Sequence, residues 1–266
     1  MKKIQELIRQ AELGQATEAA VSALRDDPSD AGLRACYIEL LCVQGALEKA
    51  DQQLDILVRQ HPDYLVGAVN LRQLIRAATA RQDFYQGGMT ATLFTEPDTA
   101  FETLLSLHLS LREQDIKRAA DAAVQLENVR LKTELELTGS AVTDLRDLDD
   151  SLCGYLELFG TDGKFYLAAF GQIERLQLMT PSSLLDTVWR RAEIIIKDGP
   201  SGEVFVPVTY HNSVRMSERL GRDTQWVEHH PQLVTGQGQK MLLAGDEAIA
   251  LSSVSLLCAA PETVGA

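Results

Sequence analysis

The sequence predicts an α+β fold, a TPR-like helical half followed by a mainly β half. Three observations carry this. Apolar residues recur at helical spacing through roughly the first 127 positions. Near Glu127 the period changes to two, with Leu131, Leu135 and Leu137 alternating against Lys132, Glu134 and Glu136, as in an antiparallel strand half in water. Beyond that point, short apolar runs alternate with glycine- and aspartate-rich turns. The division expected is a helical domain over 1–127 and a mainly β domain over 128–266, with the boundary between about 125 and 140. The second domain is expected as a small barrel-like or twisted antiparallel sheet with one or two helices.

The helices follow in order. Ile4, Leu7, Ile8 and Ala11 form one stripe, which Gly14 is read as interrupting. Ala19, Ala20, Ala23 and Leu24 form the next, ending before Pro28. Leu33, Tyr37, Leu40 and Leu41 run to Gly45; Ala50, Leu54, Leu57 and Val58 run to His61-Pro62; Leu65, Val69 and Leu71 to Ile75 make a fifth. Pro28 and Pro62 stand 34 residues apart, the tetratricopeptide period. Ala50 precedes its proline by twelve residues, where such repeats place a small residue at a helix crossing. Counted from Gly14, the first unit is a turn short and reads as degenerate. Stacked units of this kind leave a concave face for peptides; the alternative is an ordinary helical bundle. Asp83 to Pro97, with Gly87-Gly88, reads as a loop. Asp98 is a candidate N-cap for a helix through Phe101, Leu104, Leu105 and His108, and Ile116, Ala119, Ala120 and Ala123 continue the pattern. His108 on an apolar stripe reads as a packed core residue rather than a ligand.

In the second half, the clearest hairpin joins Tyr155–Phe159 to Lys164–Phe170 through Gly160-Thr161-Asp162-Gly163. Ile173 to Leu178 reads as a strand. Thr180-Pro181 reads as the cap and first residue of a helix, with Leu185, Val188, Trp189 and Ala192 on one face and Trp189 buried against the sheet. Ile194 to Ile196 and Val204 to Val208 read as strands around a turn at Lys197 to Gly202. A short strand at Trp226, a glycine-rich loop at Gly236-Gln237-Gly238, and strands at Met241–Leu243 and Ile249–Leu257 complete the chain.

Charge and composition exclude several functions. The net charge of −13 opposes binding to nucleic acid or an anionic membrane, which need a positive field. No apolar run reaches the ~18 residues of a spanning helix. The start, MKKIQELIRQAELG, lacks the apolar core of a signal peptide, and a cytoplasmic protein is expected. Cys36, Cys42, Cys153 and Cys258 form no metal-ligand spacing and read as reduced thiols. Gly163-Lys164 lacks the first glycine and the Ser or Thr of a phosphate loop, and Gly236-Gln237-Gly238 lacks the third glycine of a dinucleotide fingerprint. His229 and His230, neighbours on an extended chain, point to opposite faces. Only the acidic run offers chemistry: Asp147, Asp149 and Asp150 with Glu157 could hold Mg²⁺ or act as general acid and base. The same residues could cap turns or pair with Arg146, Arg190 and Arg191. No nucleophile accompanies them, so the expectation is a protein without cofactor, metal or catalytic set; the alternative is a metal-assisted enzyme centred on 147–157.

The order of motifs resembles the ImpE/SciE, or TagJ-like, family of type VI secretion accessory proteins. The resemblance lies in the repeat-like half with Gly45, Ala50 and Pro62, then in Asp147-Leu148-Asp149-Asp150 leading to Leu156-Glu157. It continues through Gly163 to Phe170, Leu185-Asp186-Thr187-Val188-Trp189, Gly202 to Tyr210 with Pro207, Gly221-Arg222 to Trp226, and Gly236 to Gln239. The chain departs from the family pattern at Ser151, Leu167, Ala169 and Gln225. The family positions matched are Asp149, Asp150, Glu157, Asp186, Trp189, Pro207, Tyr210, Arg222 and Trp226. The resemblance implies a cytoplasmic, non-enzymatic adaptor that contacts the contractile sheath through an amphipathic helix of the small sheath subunit. Candidate partner-binding residues are Tyr37 and Leu41 on the helical half, and Tyr155, Tyr210 and Trp226 on the β half.

Overall fold

The structure, a computed structural model, describes residues 1–260. Seven helices come first: α1 (Lys2–Arg9), α2 (Leu13–Asp26), α3 (Ala31–Val43), α4 (Leu47–Gln60), α5 (Leu65–Tyr85), α6 (Thr99–Arg112) and α7 (Ile116–Val129). From α1 to α5 each helix packs on its chain neighbours, as in a stacked repeat. Asp30, Asp98 and Asp115 each accept an N-capping bond from the backbone N–H three residues on. Among the described residues no helix is long and apolar enough to cross a membrane.

The repeat is more regular than the glycines suggest. α2 and α4 begin and end 34 residues apart, at Leu13 and Leu47, and at Asp26 and Gln60. Ala16 and Ala50, at equivalent positions, are both fully buried. Helix α3 ends on Gly45 with φ +75°. There the Ala46 N–H bonds Leu41 C=O at 2.9 Å and the Gly45 N–H bonds Cys42 C=O at 3.0 Å, the paired closure of a Schellman cap. Helix α1 closes in the same way on Ala11, with φ 60° and bonds from Glu12 N–H to Leu7 C=O and Ala11 N–H to Ile8 C=O. The break after the first stripe therefore falls at Ala11, and Gly14 lies inside α2. The first unit is full length; it carries an alanine where the second has glycine.

The β half is built on an open eight-stranded antiparallel sheet rather than a closed barrel, in the order β2-β1-β13-β6-β7-β8-β4-β5. Its strands are β1 (Leu135–Leu137), β2 (Ser140–Val142), β4 (Tyr155–Gly160), β5 (Phe165–Ala169), β6 (Ile173–Leu178), β7 (Trp189–Ile196), β8 (Ser201–Pro207) and β13 (Leu256–Ala259). A three-stranded sheet of β3 (Leu145–Asp147), β11 (Met241–Ala244) and β12 (Glu247–Ala250), and a ribbon of β9 (Thr224–His230) with β10 (Leu233–Gly238), complete it. A one-turn helix α8 (Met216–Arg219) precedes β9. Alternate residues of the sheet enter two cores. Tyr155, Phe159, Phe165, Leu167 and Trp189 join the core of the helices. Leu156, Leu158, Ala192, Ile194, Ile196, Val204 and Val206 pack with Leu145, Leu242 and Val254 on the opposite face.

Two sequence expectations are corrected here. The helix over Leu184–Ala192 does not form: Leu185–Thr187 is a single 3-10 turn and Trp189 opens strand β7. Trp189 and Ala192 are both buried, but in different cores on opposite faces of the strand. An apolar pair three apart imitates a helical stripe whenever both faces of a strand are covered. Gly236-Gln237-Gly238, expected as a loop, lies within β10. A Cβ on Gly236 would fall 2.2 Å from the Tyr210 ring, so glycine there serves close packing in a strand.

The left-handed corner at Ala11 yields a test. An L-alanine in that region costs roughly 1–2 kcal/mol, partly offset by the entropy glycine loses on folding. Ala11→Gly is expected to stabilise the protein by roughly 0.5–1 kcal/mol, read from urea unfolding midpoints at unchanged slope. A lower midpoint would refute the assigned corner.

Candidate functional site

The acidic run lies at the junction of the helices and the sheet. Glu157, at the centre of β4, is fully buried. Arg81 reaches it from α5 as a fork, Nε donating to Oε1 at 2.7 Å and Nη2 to Oε2 at 2.6 Å. Lys240 Nζ, fully buried, donates to Oε2, and Tyr85 OH donates to Oε1 at 2.8 Å. Arg81 also donates to the Thr209 carbonyl at 2.9 Å. Burial pushes the Glu157 carboxyl up, but the charges of Arg81 and Lys240 and their hydrogen bonds outweigh it and hold the group below the usual carboxylate range.

Asp147 and Asp149 form a second buried layer. Asp147 accepts from Tyr210 OH at 2.7 Å and from the Asp149 N–H at 2.9 Å. Asp149 accepts from the Ser151 N–H and hydroxyl at 2.8 and 2.6 Å, and from the Gly236 N–H at 2.8 Å. Burial raises both carboxyls, Asp147 to about 7 against the opposing charge of Lys240, and Asp149 to about 6 against its hydrogen bonds. Asp150 pairs with Arg146 at 2.6 Å and accepts from the Val234 N–H at 2.7 Å. Every carboxylate of the run is thus engaged in holding turns, ribbon and helices together. Among the described residues, no three His, Cys, Asp or Glu side chains gather as a metal-binding set.

Beside this cluster lies a cavity of about 480 Å³ between the α3–α4 corner, α5 and the segment Thr209–Ser213. Trp189 and Phe159, ring edge to ring face at 5.4 Å, contribute to its floor. The His211 ring stacks on Tyr85 at 3.3 Å, and burial holds His211 well below the ordinary histidine range. His108 is likewise pulled down by burial, to about 4.

A second junction was not read from the sequence, although Arg222 stands among the family positions matched there. Arg222 donates from Nη1 to Arg9 C=O at 2.6 Å and from Nη2 to Ile8 C=O at 2.7 Å. Arg219 donates to Gln44 C=O. Two arginines from the α8 segment therefore cap the carboxyl ends of α1 and α3, where carbonyls lack helical partners and the helix dipole is negative.

The sequence profile of the ImpE protein family matches residues 139–257. Those residues carry an ImpE domain. The type VI secretion system accessory component TagJ of Pseudomonas aeruginosa is 27% identical over 252 residues, covering 92% of this chain and 87% of that one. The crystal structure of protein VPA1032 from Vibrio parahaemolyticus superposes with a TM-score of 0.94 at 35% identity, covering 98% of each chain.

The ImpE positions matched in the sequence occupy structural posts. Asp149, Asp150, Glu157 and Tyr210 build the two buried layers, and Arg222 caps α1. Asp186 accepts from the Ser182 N–H and hydroxyl at 3.0 and 2.6 Å. Pro207 ends β8 opposite Trp189. Of the partner-binding candidates, Leu41, Tyr155 and Tyr210 are buried, and Tyr37 is partly buried against the helical core. Trp226 alone among them is well exposed, at 42%, with its ring 6.0 Å from that of Tyr210. Ser151, a departure from the family pattern, is the residue that caps Asp149.

Two measurements follow. Glu157→Gln takes from Arg81 and Lys240 the carboxylate they share, and is expected to destabilise by roughly 3–5 kcal/mol in urea unfolding. A loss below about 1 kcal/mol, the scale of an exposed pair, would refute the cluster's role. The pH dependence has two limbs. Asp147 and Asp149 bind protons more tightly folded than unfolded, so their contribution is full below the unfolded value of ~3.9 and is lost as pH rises through about 6 to 7. Glu157 acts oppositely, stabilising above ~4.3 and less as pH falls below it. The melting temperature is expected to peak near pH ~5 and decline toward pH ~8, and Asp147→Asn should flatten the alkaline limb.

Proposed function

We propose that this ImpE chain is a non-catalytic, cytoplasmic accessory component of a type VI secretion system that holds a partner protein, an amphipathic helix of the small contractile-sheath subunit. The observation that carries the accessory role is the likeness to TagJ over 92% of the chain. The site geometry supports it: the acidic run spends its carboxylates on internal bonds and offers no free pair for general acid–base work. The helical repeat supplies a stacking surface of the kind that receives peptides. The sheath subunit as partner follows from the family resemblance, and the net charge of −13 favours a helix bearing Lys or Arg beside its apolar stripe.

The test titrates a fluorescent peptide, the amino-terminal helix of that subunit, against the full-length protein. Saturable binding is expected, with association slowing several-fold between ~50 and ~300 mM salt as screening shortens the range of the field. No saturable binding, with peptide soluble and protein folded, removes the sheath reading.

A further inference from the structure

Two cavities meet at one stacked ring pair. The first, of about 480 Å³, is the one beside the Glu157 cluster. The second, of about 400 Å³, lies between the α6–α7 corner, Ser151 and the β9–β10 ribbon. Tyr85, His211 and Asn212 line both. Each volume falls in the range of small-ligand sites.

The charge around them is of one sign. The chain has 38 acidic residues against 25 Lys and Arg, yet among the described residues lining the two cavities none is Asp or Glu. Arg81 and Arg219 line the first and Arg112 the second. Glu157 lies behind Arg81 and Tyr85 and is shared by two cations. Asp147, further in, is turned to Tyr210 OH and the Asp149 N–H. The three arginines are themselves engaged: Arg81 with Glu157 and Thr209 C=O, Arg219 with Gln44 C=O, and Arg112 with Gln86 C=O at 2.7 Å. They supply a positive field rather than free donors.

The imidazoles are less well satisfied. His211 lies flat on Tyr85 at 3.3 Å, and no hydrogen bond is among the influences on its ring. Burial disfavours its charged form, and an uncharged imidazole offers one donor and one acceptor. His108, edge-on to Tyr85 at 5.0 Å, has its Nε2 buried without a partner, a condition that native interiors rarely leave unexplained. Asn212 stands exposed beside His211. Opposite these polar groups, the first cavity has an apolar floor of Trp189, Phe159, Val43 and Leu47.

We infer that the first cavity binds a small amphipathic carboxylate, with its carboxylate between His211 and Asn212 and its aliphatic tail on Trp189 and Phe159. A single negative charge is served by neutral donors inside the field of Arg81 and Arg219. A phosphate dianion selects free guanidinium forks, and these are occupied. The inference stands apart from the sheath reading, since it concerns a small molecule at a different kind of site.

Tryptophan fluorescence of the full-length protein tests this, with sodium butyrate, acetate and inorganic phosphate as probes at constant pH and ionic strength. Trp189 lies in the floor, and the second tryptophan, Trp226, lines neither cavity. Butyrate is expected to change the emission saturably and to raise the melting temperature. Acetate, lacking the tail, should bind severalfold more weakly. Asn212→Asp sets a carboxylate at the exposed rim and should weaken butyrate at least tenfold, with circular dichroism unchanged. Asn70→Asp makes the same change of charge at an exposed position of α5 outside both cavities, and should bind as wild type. No saturable response of the wild type to butyrate overturns the site. Equal weakening by both variants marks a general charge effect and overturns it too, as does wild-type affinity of Asn212→Asp. Acetate binding as tightly as butyrate overturns the apolar half of the assignment, and tighter binding of phosphate overturns the carboxylate.

Discussion

The buried pairing of Glu157 with Arg81 and Lys240 is the constraint on which the architecture turns. A carboxylate at the centre of a strand covered on both faces is costly to desolvate, and its position is tolerable only with cations held at fixed distance. Those cations come from different parts of the chain: Arg81 from the longest helix and Lys240 from the entry to β11. Folding the sheet without docking α5 would leave the glutamate without its fork, and docking α5 without the β11 segment would leave it without its ammonium. The cluster couples helices, large sheet and small sheet into one cooperative decision.

Legibility in the sequence followed the range of the interactions. The hairpin from Tyr155 to Phe170 was readable because the turn and the alternation are local. The 34-residue period was readable from Pro28 and Pro62, but its first corner was not, because an alanine at φ 60° gives no compositional sign. The strand at Trp189 was hidden by its surroundings: two cores on two faces remove the alternation that marks a strand. The acidic run was visible as a cluster, and turn-capping and pairing with Arg146 were among its readings, as Asp149 and Asp150 show; the long-range roles were not visible. Whether an aspartate caps a turn or faces a substrate depends on groups far away in sequence, such as Gly236 and Tyr210. Arg219 had no signal, and Arg222 stood only as a family position with no role, since their acceptors are backbone carbonyls of helices more than 170 residues earlier.

The strongly conditioned interior contrasts with the outer face of α5. Inside, Glu157 is paired with Arg81 and Lys240, and Asp147 and Asp149 each have a defined set of donors. Outside, apolar residues such as Leu65, Val66 and Val69 stand in water, and the charges of α4 and α5 are of both signs.

The arginine caps on α1 and α3 have a consequence for sequence change. Both grip main-chain oxygens, which every amino acid supplies, so the side chains at the helix corners are free to drift provided the backbone can still turn. The arginines have no such freedom. Lysine, a point charge with three diverging donors, does not reproduce a planar fork that spans two carbonyls at once. Variation at this boundary should therefore be one-sided: permissive on the repeats, restrictive on the short segment that reads them.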